Sequence, residues 1–117
     1  MHDNLKARTQ DFAKAVLKFS EIIPQSRSGD IIARQLIRFA TSVGANYRAA
    51  CRAKSRADFI AKMGIVEEEA DESIYWMELL TAAGPVATPA THQLLHEAGE
   101  LKAIVEASIK TARRNAK

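Results

Sequence analysis

The side chains in this 117-residue sequence that could do chemistry fall into four groups, each with a structural reading beside it. Glu67, Glu68, Glu69, Asp71 and Glu72 crowd one short stretch, and bundled helices can gather carboxylates of this kind around two iron ions. Such sites also need Glu-x-x-His on two helices, whereas His2, His92 and His96 lie near the ends of the chain. The acids are therefore read as a solvated or intersubunit salt-bridging face. His92 and His96 are four apart, a spacing that lets two imidazoles share a helix face and chelate a metal. A third ligand would have to come from Glu100 or another chain, so the pair is read as surface histidines and no metal or cofactor is assigned. Cys51 stands beside Arg52, but without a nearby histidine it is read as an inert thiol that cannot form an internal disulfide. No constellation defines a reaction, and the chain is read as a non-enzyme.

The fourth group carries the functional expectation. Arg34, Arg38, Arg48, Arg52 and Arg56 fall within about 80° of one another if residues 31–56 form a continuous helix. Guanidinium forks at this density suit phosphate oxygens. The competing readings are a solvated face and pairing with the acids of another copy. Charge is segregated along the chain: Arg27 to Lys62 holds eight basic and two acidic side chains, and Met63 to Thr81 holds six acidic and no basic ones. No aromatic residues interleave with the arginines, so base stacking is not indicated.

Four helices must position these groups, and the spacing predicts them over about residues 3–22, 29–53, 56–82 and 90–114. Leu5, Thr9, Phe12, Val16, Phe19 and Ile23 form the first apolar seam, ended by Pro24. Ile32, Leu36, Phe39, Val43, Asn46 and Ala50 form the second, with Ser28 or Asp30 as its N-cap. Ser55 and Asp58 resemble a capping box that opens the third helix. That helix carries Phe59, Met63, Val66, Ala70, Ser73, Met77 and Leu80, and it closes at Gly84-Pro85. Thr88 and Pro89 open the fourth, seamed by Leu94, Ala98, Leu101, Val105, Ser108 and Ala112, and the tail from Arg113 is expected to fray.

The fold expected is all-α, an antiparallel up-down-up-down four-helix bundle occupying residues 1–117 as one domain. The alternative is a helical hairpin whose core is completed by the terminal helices of a partner chain. Asn46 occupies a seam position where a buried amide needs a partner, which Ser73 on the third helix or Ser42 one turn back could supply, so Asn46 and Ser73 are expected to be structural polar residues that set helix register. Ile65, Glu69, Glu72, Trp76 and Leu79 share a second sector beside the third seam. A tryptophan flanked by aliphatics and carboxylates outside the main seam suits a subunit interface.

At 12.9 kDa, net charge +3 and pI about 9.2, the chain is mildly basic. Without an apolar leader or a run of roughly 20 apolar residues, it is expected to be cytoplasmic and to contact no membrane.

The run Gln35-Leu-Ile-Arg-Phe-Ala-Thr-Ser-Val-Gly-Ala-Asn46, with Phe59 and Gly64-Ile-Val-Glu-Glu-Glu-Ala-Asp-Glu-Ser73, resembles the four helix bundle protein family. This is also called the S23 or 23S rRNA intervening-sequence protein family. The resemblance implies an antiparallel four-helix protomer assembled as a ring, commonly a homopentamer, with a largely unassigned role. It also implies kinship with the accessory variability protein of diversity-generating retroelements, which binds a reverse transcriptase and nucleic acid through a basic surface. Where the family pattern continues after its asparagine with Ile-Ala-Glu-Gly, this chain has Tyr47-Arg48-Ala49-Ala50. Residues and resemblance together lead to an oligomeric binding or scaffold protein with a possible RNA, DNA or protein partner at the arginine face. A purely structural homo-oligomer is the alternative, and a metal-binding bundle a remote one.

Overall fold

A computed structural model describes residues 2–83 and 88–115. Four α-helices follow in order: α1 (His2–Ser20), α2 (Arg27–Ala50), α3 (Arg56–Ala83) and α4 (Pro89–Arg114). Each is neighboured by the helices before and after it, and α4 packs against α1 to close the ring around one core. Residue numbers fall on α4 as they rise on α3, with Arg56 meeting Asn115 and Asp71 meeting Lys102, so these two run antiparallel. The result is a rod of 50 × 20 × 20 Å.

Local chemistry explains the boundaries. Ser26 caps α2, its Oγ accepting from the Gly29 amide at 3.0 Å, so the cap lies before both Ser28 and Asp30, the two expected. Asp30 instead sits in the first turn, where a carboxylate favours the helix dipole. Ala50 ends α2 three residues earlier than the seam suggested. A tight turn follows, with the Arg52 and Ala53 amides donating to the Ala49 and Ala50 carbonyls. Ser55 Oγ then accepts from the Asp58 amide at 3.0 Å, while the Asp58 carboxylate accepts from the Lys54 amide at 3.1 Å and from Lys62 Nζ at 2.6 Å. Thr88 and Thr91 form a reciprocal capping box with Pro89 in the first turn of α4. The expected stop at Gly84-Pro85 lies outside the described residues. So do Ala116 and Lys117, whereas Arg113 and Arg114 are helical.

The core follows the seams of α1 and α3 closely and corrects those of α2 and α4. On α2 the buried side is Ile32, Leu36, Ala40, Val43, Tyr47 and Ala50; Phe39 and Asn46 are half-buried on the flank towards α3. Residues 46 and 47 compete for one place, where a phenol ring gains far more from burial than an amide; at 39 and 40 the preference runs the other way, so the flank that α3 covers sets the phase. On α4, Ile109 takes the place expected of Ser108, and Thr91 extends the seam by one turn.

Glycine is required where α2 begins. A Cβ on Gly29 would run into the Pro24 carbonyl oxygen and lie 2.9 Å from Ser26 Oγ. Gly29→Ala should therefore disturb both the turn and the cap and cost about 1–3 kcal/mol, read by chemical denaturation. A loss under about 0.5 kcal/mol would mean that the turn gives way freely. Gly44 serves packing: a Cβ there would sit 3.2 Å from Thr9 Oγ1, marking a close approach of α1 to α2.

A candidate nucleic-acid or partner interface

The arginine face is built from α2 and the turn that follows it. Arg34, Arg38 and Arg48 project from α2 into solvent, and Arg52 extends the row just past the helix end. Arg56 does not join them. The chain breaks helix between Ala50 and Arg56, so Arg56 opens α3 and donates to the Asn115 carbonyl at the far end of α4. Arg38 lies over the Phe39 ring, 5.1 Å from its centroid. Arg34, Arg48 and Arg52 make no ion pair among the described residues.

Three basic side chains elsewhere are occupied. Arg8 bridges from α1 to Glu97 at 2.6 Å and Glu100 at 2.9 Å, and these bonds hold its guanidinium well above the ordinary range. Lys62 is held by Asp58, and Lys102 reaches Asp71 at 3.1 Å, which raises the lysine. Beside the arginines runs a groove of about 590 Å³ between α1 and α2, floored by Ala13 and Gly44 and edged by Lys6 and Arg48. Lys6 was not singled out by sequence reasoning, because only helix packing brings α1 next to the arginine row.

The second sector also takes shape, on the α2 side of α3. Ile65, Glu72 and Leu79 are exposed, and Glu69 and Trp76 are half-buried. Trp76 Nε1 donates to Glu72 at 3.2 Å, and Tyr75 meets the indole edge-on at 5.0 Å. Tyr75 is 53% exposed and widens the apolar strip. It lies one helical step outside the predicted sector, which is why spacing alone passed over it.

Asn46 and Ser73 part company. Ser73 is fully buried and donates to the Glu69 carbonyl within its own helix, and Ser42 donates to the Arg38 carbonyl. Asn46 therefore bonds neither serine. Its Nδ2 donates to both oxygens of Glu69 across the α2–α3 seam, at 2.8 and 3.0 Å. Burial pushes the Glu69 carboxyl above its ordinary range, against the opposing effect of the Asn46 bond. Glu67 is raised as well, first by sharing a hydrogen bond with Glu106 across α3–α4 and then by burial.

Among the described residues no three histidine, cysteine, aspartate or glutamate side chains converge to hold a metal, and no helix is long and apolar enough to cross a membrane. Cys51 is exposed at the C-cap of α2.

Fold and surface define a small all-helical bundle whose opposite charges are sorted onto neighbouring helices. The chain belongs to the 23S rRNA-intervening sequence protein family, whose model matches residues 4–107. It is similar to the crystal structure of a protein with unknown function from the S23 ribosomal protein family of Bacteroides thetaiotaomicron VPI-5482. That protein is 32% identical, with a TM-score of 0.85, and the match covers 94% of this chain and 99% of the other. No curated protein matches this chain. The family expected from the Gln35–Asn46 run and the Gly64–Ser73 run is thus established.

Proposed function

We propose that the protein is a non-enzymatic, self-assembling cytoplasmic binding module that holds RNA or DNA, or an enzyme working on them, against the arginine face of α2. The observation that carries this reading is that Arg34, Arg48 and Arg52 stand in one exposed row along α2 and its following turn, without an ion pair among the described residues. Desolvating an idle cation against phosphate breaks no existing pair, and released counterions make the contact favourable at low salt. Without interleaved aromatics, the contact is to the backbone and not to bases. Assembly into a ring, as the family resemblance implies, would repeat a weak patch and convert it into a strong one. The test is a titration of generic RNA and duplex DNA at rising ionic strength. Binding should be tightest at low salt, and a wild type that retains neither at 50 mM removes the nucleic-acid reading.

A second reading is favoured by the α3 strip, where exposed Ile65, Tyr75 and Leu79 stand beside Glu68 and Glu72. In a purely structural homo-oligomer these acids would take the arginines of the next copy. Self-assembly itself is read by light scattering. The wild type should scatter as a multiple of 12.9 kDa. Trp76→Ala and the more conservative Leu79→Ser should both shift it towards the protomer mass. A wild-type mass of 12.9 kDa would exclude assembly under either reading.

A further inference from the structure

The outward face at the start of α4 carries a cluster that the arginine reading leaves unused. The Thr88–Thr91 capping box and Pro89 fix the helix from its first residue, so side chains one and two turns later project from a rigid element. His92, Gln93, His96, Glu97 and Glu100 line a shared surface hollow of about 390 Å³. His92, His96 and Glu100 follow one another at four-residue intervals along a single stripe.

The contacts within this stripe are ordered. His96 Nε2 lies 3.3 Å from Glu100 Oε2, and the other oxygen of Glu100 accepts from Arg8 at 2.9 Å. A carboxylate facing one ring nitrogen fixes the proton there and leaves the other nitrogen as a lone-pair donor. His92 lies one turn before His96 on the same stripe. An imidazole backed by an anchored carboxylate, with a second imidazole four residues before it, is the arrangement in which histidine ligates a metal and a carboxylate tunes it.

We propose that His92 and His96 chelate a divalent transition-metal ion on the outer face of α4, with Glu100 as the carboxylate behind His96 and Arg8 holding Glu100 in place. Two protein ligands, not three, reach the ion, and water completes its shell. Imidazole donors select borderline ions over the hard cations that demand oxygen sets. Affinity rises towards Cu²⁺, with Ni²⁺ and Zn²⁺ below it, and Mg²⁺ and Ca²⁺ do not compete.

The experiment is calorimetric titration of Cu²⁺ and Zn²⁺ into the full chain carrying Cys51→Ser, which removes the thiol as a competing ligand. One ion should bind per chain. His92→Ala and His96→Ala should each lower the affinity at least about tenfold, and Glu100→Gln by about tenfold, in the range of removed outer carboxylates. His2→Ala should change nothing, which separates this site from chelation near the N-terminus. Cys51, His92 and His96 make no inter-helix hydrogen bond or ion pair among the described residues, and a retained helical spectrum checks folding for each variant. Absence of saturable binding, or binding unchanged in either His92→Ala or His96→Ala, overturns the proposal. An unchanged affinity in Glu100→Gln overturns the role given to that carboxylate.

Discussion

Changing Arg34, Arg48 and Arg52 together to glutamate should weaken binding to generic RNA by roughly 10³-fold at 50 mM salt, since each phosphate contact releases about one counterion. The slope of log affinity against log salt should become shallower by about 0.9 for each arginine that was in contact. The fold should not suffer, because all three side chains are exposed and make no ion pair among the described residues, and surface changes of this kind stay within about 0.5 kcal/mol each. Gel shifts over a salt series, with thermal unfolding as the control, measure both. Light scattering on the same variant separates the two readings of function. A variant that loses RNA but keeps its mass supports the binding module, and one that falls apart into protomers supports the structural oligomer. Arg38 is left in place, because its guanidinium also covers the Phe39 ring and its loss would mix packing with charge.

Truncating Tyr47 should destabilise the bundle by about 3–5 kcal/mol, the range for deleting a buried aromatic ring. For a chain of this size that lowers the melting temperature by roughly 10–20 °C. Tyr47 is 1% exposed and stands among the core residues near the C-terminal end of α2. Asn46→Ala removes the bond to a half-buried carboxylate and should cost only about 1–2 kcal/mol. Denaturant unfolding of the two single variants puts them in order. If Asn46→Ala were the costlier change, the assignment of Tyr47 to the core and of Asn46 to its flank would be wrong.

That pair of neighbours also shows what the sequence made legible. Four helices, their order and the seams of α1 and α3 follow from apolar spacing, because Phe12 and Val16 on α1 and Met63 and Met77 on α3 recur along one stripe of each helix. On α2 two candidate stripes differ by a rotation of one residue, Phe39 and Asn46 against Ala40 and Tyr47, and spacing cannot rank them. The neighbouring helices decide, by which flank α3 covers. The register bond shows the same limit. A polar residue near the seam was visible, but its partner, Glu69, was assigned to the subunit strip because its sector looks outward from α3 alone. Glu69 belongs to α2 as much as to solvent, which only the paired helices reveal. The arginine face was legible as far as Arg52. Arg56 fell outside it because the cap made by Ser55 and Asp58 starts a new helix axis, and a projection that assumes one continuous helix carries no meaning past that break.

The exposed thiol at the C-cap of α2 has a practical consequence. Cys51 is the only cysteine in the sequence, it is accessible, and Arg52 follows it directly. A maleimide fluorophore would therefore attach at one place, at the end of the row of cations, with no engineered residue. Its anisotropy and quenching would report occupancy of that surface in real time, and energy transfer between differently dyed copies would report the approach of one protomer to the next.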